Sequence, residues 1–177
     1  MKIFQYQNAD RFPCKGLSVA MGNFDGLHIG HKAVINLAKP KIKSEKFGII
    51  TFEPHPKELF FPEEKSFRLM TQAAKKIGLE RMGLDYLIEI PFTKEISTLT
   101  PKVFVEKILH KYFNLDHIVV GADFKFGQHR KGTSQMLKEL GNSLGINVIV
   151  APLVKSNNLE ISSTAIRQAL RDGNPEI

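Results

Sequence analysis

Ala20-Met21-Gly22-Asn23-Phe24-Asp25-Gly26-Leu27-His28-Ile29-Gly30-His31 carries an apolar run into a glycine-punctuated turn and out again into a helix. Leu17 to Met21 reads as a buried strand. Gly22 and Gly26 allow the chain to turn sharply, and Gly30 permits a close approach at the start of a helix expected from about His31 to Lys39, where Pro40 stops it. A helix N-terminus offers free backbone N–H groups and the positive end of the macrodipole, so an anion is stabilised there before any side chain contributes. His28 and His31 are three residues apart and face one direction if the helix begins between them. Imidazole donates hydrogen bonds and can become cationic beside a polyphosphate, which suits it to charge that grows during a reaction. The same spacing is open to a plainer reading, in which the two are helix-cap and surface residues. It lacks the i, i+4 geometry of the helical zinc motif, and no third ligand lies nearby in sequence.

Outward from this stretch, the chain fits one α/β domain of 177 residues with enough length for a real core. Hydrophobic residues make up 42% and charged residues 24%, so neither disorder nor a fibrous class is favoured. The first sixteen residues hold no signal-type apolar core, and no run approaches the length of a membrane span, so a cytoplasmic protein without a membrane partner is expected. The single cysteine, Cys14, excludes an internal disulfide and a CxxC metal or redox pair. A net charge of +7 attracts polyanions without choosing among them. The densest basic run, Lys39 to Lys46, reads as a solvated loop.

Further along, Phe47 to Phe52 is an apolar strand ending in the stiff Glu53-Pro54-His55-Pro56 turn. A helix is expected from Phe67 to Met82, with Leu69, Ala73, Ile77 and Met82 on its inner face, and a strand from Tyr86 to Ile90. Thr100-Pro101 opens a helix whose Phe104, Val105, Ile108 and Tyr112 recur at core spacing, and His117 to Gly121 is the next strand. The glycine-bounded loop Gly121 to Gly132 then holds Asp123, Phe124, Phe126 and Gly127. Its two phenylalanines either flank a flat heterocycle or plug the sheet edge. Thr133 to Leu144 reads as a helix and Asn147 to Pro152 as a strand. In Ile161-Ser162-Ser163-Thr164-Ala165-Ile166-Arg167 the hydroxyls suit a helix cap. Arg167, three residues after Thr164, could join them as a phosphate clamp, and Ile166, Ala169 and Leu170 would form the inner face of that last helix. Strands alternating with helices predict about five parallel strands covered on both faces, with ligands outside their carboxyl ends.

The first stretch resembles the GxFDGxHxGH signature of the HxGH nucleotidylyltransferases, with His28-Ile29-Gly30-His31 matching fully. Together with Thr51 to Pro56, Gly121 to Gly132 and Ile161 to Arg167, it is similar to the adenylyltransferase module of the prokaryotic bifunctional riboflavin kinase/FAD synthetase family. The resemblance implies a Rossmann-like fold and transfer of AMP from ATP to FMN, with Mg2+ expected through the substrate phosphates. On that resemblance His28, His31, Asn23 and Arg167 are the catalytic candidates. Gly22, Phe24, Asp25, Gly26, Gly30, Ser162, Ser163 and Thr164 are placed at ATP, and Phe52, Pro54, His55, Asp123, Phe124, Phe126 and Gly127 at the flavin. The family's riboflavin kinase module is expected after a linker resembling Asp172 to Ile177, either in the full-length protein or supplied in trans, since no such module lies in these 177 residues. Another HxGH adenylyl- or cytidylyltransferase has no reason to carry the DFxFG loop. A tRNA synthetase fragment would share the HIGH string but is short at this length, and no RNP, KH or helix-turn-helix signature supports a nucleic-acid partner.

Overall fold

The computed structural model describes residues 1–6, 12, 14, 16–40, 45–63, 67–156 and 159–174. In chain order these form β1 Lys2–Gln5, β2 Leu17–Met21, α1 Ile29–Leu37, β3 Lys46–Glu53, α2 Pro56–Phe60, α3 Gln72–Glu80, β4 Tyr86–Pro91, α4 Lys94–Ser97 and α5 Pro101–Val103, the last continuing as π-helical turns over Phe104–Tyr112. Then come β5 His117–Gly121, the short pair β6 Lys125–Phe126 and β7 Gly132–Thr133, α6 Ser134–Ser143, β8 Asn147–Ala151, the pair β9 Lys155–Ser156 and β10 Leu159–Glu160, and α7 Ser163–Arg171. The main sheet has six strands, not about five, in the order β1-β4-β3-β2-β5-β8, and every pairing in it is parallel. The additional strand is β1, an edge strand whose Ile3 is 51% exposed, so its sequence lacks the apolar pattern of its neighbours.

Side chains alternate across the sheet, as a two-residue period requires. Leu17, Val19 and Met21 of β2 join Ile50 and Phe52 of β3 in a core covered by Phe104, Val105, Ile108 and Leu109 and by Leu137 of α6. Ala20, Phe47 and Ile49 point the other way, onto Val34 and Ile35 of α1 and Leu79 of α3. Helices therefore cover both faces. Among the described residues no helix is long and apolar enough to cross a membrane.

Four local expectations are corrected. The helix expected from Phe67 begins only at Gln72, capped by Thr71, because the Leu69 and Met70 amides are drawn to the Asp25 carboxylate instead of an intrahelical ladder. Its buried positions are Lys75 and Leu79, with Ile77 54% exposed, so the inward face is rotated from the one that periodicity suggested. On α7 it is Ala169 that is buried, while Leu170 is 55% exposed. Of the basic run, Lys46 lies on β3 and pairs with Asp85 at 3.4 Å, whereas 41–44 lie outside the described residues, as do 175–177 of the linker.

The sheet order reverses between β2 and β5. A crevice therefore opens where their carboxyl ends diverge, and the loops leaving those two strands are 22–28 and 122–124.

Candidate active site

Helix α1 starts at Ile29, two residues earlier than expected, and His28 is its N-cap. The His28 Nδ1 accepts the His31 N–H at 3.3 Å, which leaves the proton of the neutral ring on Nε2 as a free donor. Capping and anion binding are thus compatible roles for one imidazole, because they use different nitrogens. The two rings stack at 3.6 Å between centroids, and the Phe24 ring meets His31 edge-on at 5.4 Å. Gly30 makes this approach possible, since a Cβ there would lie 3.1 Å from the His28 ring and 3.4 Å from the Ile161 carbonyl. The second contact brings the last motif of the chain against the first.

Helix α7 begins in the same place. Ser162 caps it by accepting the Ala165 N–H at 3.1 Å, the Ser163 hydroxyl donates to the Asp25 carbonyl at 2.9 Å, and Thr164 is exposed. Neither α1 nor α7 carries an acidic side chain in its first turn, so within their own first turns the positive ends of these two nine-residue helices are not offset.

Asp25 is the hub beneath them. Its carboxylate accepts the Leu69 N–H at 3.0 Å and the Met70 N–H at 3.3 Å, and it pairs with the guanidinium of Arg167, whose Nε donates to the Phe67 carbonyl at 2.7 Å. Gly26 sits at φ +90° against this segment, where a Cβ would come 2.8 Å from Leu69 Cδ1. Arg167 is therefore anchored on one side and also lies 5.2 Å from the Phe67 ring, a placement its spacing from Thr164 did not indicate. Its Nη1 donors take part in neither of these hydrogen bonds.

Two buried polar atoms at this edge, Asn23 Oδ1 and His31 Nδ1, have no hydrogen-bond partner. A buried polar atom without a partner costs about 1–3 kcal/mol.

The flavin candidates separate into two groups. Phe52 and Phe126 are buried and joined through Phe104, which lies 6.1 Å from one ring and 5.8 Å from the other. They form a floor and belong to the core. Phe124 is half-buried and stacks on Phe126 at 5.8 Å, while Asp123 and Pro54 are exposed. Gly127, at φ +67°, lies against Pro101, where a Cβ would meet its nitrogen at 2.9 Å. His55 caps α2, which the sequence had not suggested, and its ring lies 4.7 Å from Phe67. Phe67 thereby touches both the His55 loop and Arg167.

Burial holds all three histidines neutral: it lowers His28 below the usual histidine value, His31 to about 3 and His55 to about 4. In the unfolded chain each ring takes up a proton near pH 6.5, but in the fold His31 and His55 do so only near 3 and 4. The sign is that of neutral burial. Their stabilising contribution is complete above pH 6.5 and falls by at most about 1.4 kcal/mol per ring for each unit below it. Urea unfolding at pH 7 and pH 5 should show His31→Gln losing less stability than the parent chain, by up to about 2 kcal/mol. Identical losses in the two proteins would mean that the His31 ring is hydrated and titrates normally.

A parallel α/β sheet with an HxGH turn and a second helix N-terminus at its switch point defines a nucleotidylyltransferase-like protein. Residues 13–165 match the FAD synthetase family, and the chain belongs to it. It is 32% identical over 177 residues to the bifunctional riboflavin kinase/FMN adenylyltransferase of Escherichia coli K12, covering 98% of this chain and 56% of that one. It is 36% identical over 157 residues to the FAD synthetase of Listeria monocytogenes, covering 88% and 63%. The chain thus spans little more than half the length of these relatives. Among solved structures it resembles the macrolide-efflux protein of Streptococcus pneumoniae, at 28% identity and a TM-score of 0.82 over 98% of this chain and 59% of that one. The pantoate-beta-alanine ligase of Francisella tularensis, at 14% identity and a TM-score of 0.61 over 98% and 77%, shares the fold.

Proposed function

We propose that this chain transfers AMP from ATP to FMN, giving FAD and pyrophosphate. The observation that carries the reading is the meeting of two helix N-termini, neither with an acidic side chain in its first turn, around the unpartnered Asn23 Oδ1 and His31 Nδ1. Two unit charges about 4 Å apart repel by about 4 kcal/mol at an effective dielectric of about 20, so two phosphates need such a surface to meet. The FMN phosphate attacks the α-phosphorus in line, pyrophosphate leaves, and no covalent nucleophile is required. His28, through Nε2–H, and His31 stabilise charge on the triphosphate. Asn23 reaches the phosphates at the reacting centre. Ser162, Ser163, Thr164 and the Nη1 donors of Arg167 hold the β- and γ-phosphates, and the backbone of Gly22 to Gly30 lines their path. The flavin lies over the Phe52–Phe126 floor, beside Phe124 and Gly127, bordered by Asp123, Pro54 and His55.

The donor set fits magnesium carried in by the nucleotide. Asp25 is already committed to Arg167 and two amides, and among the described residues no group of three or more His, Cys, Asp or Glu could hold a metal ion. Carried in on the nucleotide, magnesium would supply charge neutralisation, in keeping with its preference for substrate phosphates over all-protein cages. Riboflavin kinase activity is proposed to come from a separate module, whether joined to this chain or acting in trans, and the reaction to take place in the cytoplasm.

Chromatography of reaction mixtures tests the reading. FMN, ATP and magnesium should give FAD, whereas riboflavin and ATP should give no FMN. Appearance of FMN from riboflavin, or release of pyrophosphate without FAD, would replace this assignment with another phosphorylated acceptor or another domain content.

A further inference from the structure

At the carboxyl ends of β3 and β4, the side facing α3 turns polar: Thr51 and Glu89 are buried at 0% and 3% exposed, and Lys75 of α3, 5% exposed, points among them. Lys75 Nζ donates to the Thr51 hydroxyl at 3.5 Å and pairs with Glu53 at 3.5 Å. The Thr51 hydroxyl in turn donates to the backbone carbonyl of Asn23 at 3.4 Å. Glu53 is held separately by Arg68 at 2.6 Å, and Arg68 reaches on to Glu58 at 2.6 Å, whose carboxylate accepts the His55 N–H at 3.0 Å. Glu89 is matched by Lys76 at 3.1 Å, so Lys75 is not needed to neutralise it. A fully desolvated lysine is a costly way to make a core, and burial accordingly lowers its pKa.

We propose that Lys75 is a positioning residue for the reacting centre, acting through Thr51 on the Asn23 carbonyl to hold the loop that presents the Asn23 side chain. The proposal rests on the adenylyltransferase reading for its consequence but not for its geometry. The Asn23 segment lies between β2 and a helix that starts six residues later, and among the described residues it is the Thr51 side chain that donates to the Asn23 carbonyl. Without that bond the loop keeps its covalent path but loses a fixed depth. Displacing a positioned group by about 1 Å can cost up to roughly a hundredfold in rate.

Lys75→Met keeps the stem and removes the ammonium, and Arg68 continues to pair Glu53, so no buried carboxylate is stranded. Thr51→Val removes the hydroxyl at constant shape, and Thr51→Ser keeps it. For FAD formation, Lys75→Met and Thr51→Val should each lower kcat by about tenfold or more, with the KM for ATP within about twofold. Thr51→Ser should restore most of the rate, and the double variant should be no slower than either single one. Full turnover in Thr51→Val, or a multiplicative double variant, overturns the relay. If the parent chain forms no FAD, the adenylyltransferase reading fails on its own, and the relay is then read by NMR. The Asn23 side-chain amide resonances should move in Lys75→Met and Thr51→Val but not in Thr51→Ser, and an unmoved Asn23 amide in the first two contradicts the proposal.

Discussion

His28→Asn and His31→Ala should each lower the rate of FAD formation by about 10²- to 10³-fold while the chain stays folded, the loss typical when a preorganised donor to developing charge is removed. The choice of asparagine at residue 28 separates two roles that the structure joins in one ring. His28 Nδ1 caps α1 by accepting the His31 N–H, and asparagine is itself among the best N-caps, so the helix keeps its start. What asparagine cannot supply is the Nε2–H donor projected beyond the cap. At residue 31 the ring Nδ1 makes no hydrogen bond within the fold. Alanine there costs mainly the edge contact with Phe24 and the stack on His28. Steady-state rates beside circular dichroism check both variants. Parental turnover in His28→Asn would reduce that histidine to a cap.

Asp25→Ala is expected to destabilise the fold by about 3–5 kcal/mol, lowering Tm by roughly 10 °C, the cost of stranding a buried charge. The Asp25 and Arg167 side chains are only 7% and 12% exposed, and the carboxylate also satisfies the Leu69 and Met70 amides. One side chain thus ties the first loop, the segment before α3 and the last helix together. Because the penalty falls largely on the abandoned guanidinium, adding Arg167→Met to Asp25→Ala should recover part of the loss. Calorimetric melting of the single and double variants reads this directly. If the double variant melts as far below Asp25→Ala as Arg167→Met melts below the parent, the two residues are not coupled.

Sequence reading reached furthest where a local pattern carries its own chemistry. The apolar strand Leu17 to Met21 followed by glycines and an HxGH turn specifies a strand, a turn and a helix start within one stretch, and β2, the loop and α1 follow it closely. The same holds for the caps at Ser162 and Thr100 and for the core spacing of Phe104, Val105 and Ile108. It fell short where long-range partners decide. Gln5 and Lys2 bracket an exposed edge strand with no inward periodicity, so β1 has no local signature. Leu69 and Met70 look helical until Asp25, 44 and 45 residues away, takes their amides. Lys75 and Ile77 exchange the faces expected of a lysine and an isoleucine because Thr51 and Glu53 wait for the ammonium at the sheet edge. Arg167 was legible as a cation beside a helix start, but its anchoring to Asp25 and the Phe67 carbonyl depends on contacts spanning 142 and 100 residues. Of Phe124 and Phe126, read with two alternatives open, Phe126 is core and Phe124 stacks on it, half-buried.

The site is proposed to move an adenylyl group, and the fate of the nucleotide phosphorus tests that most directly. With FMN and magnesium, ATP labelled at the α-phosphate should pass its label into a flavin product that co-migrates with FAD, while ATP labelled at the γ-phosphate should place all of its label in pyrophosphate. Label from the γ-phosphate in the flavin, or no label in the flavin from either, would contradict adenylyl transfer at this site.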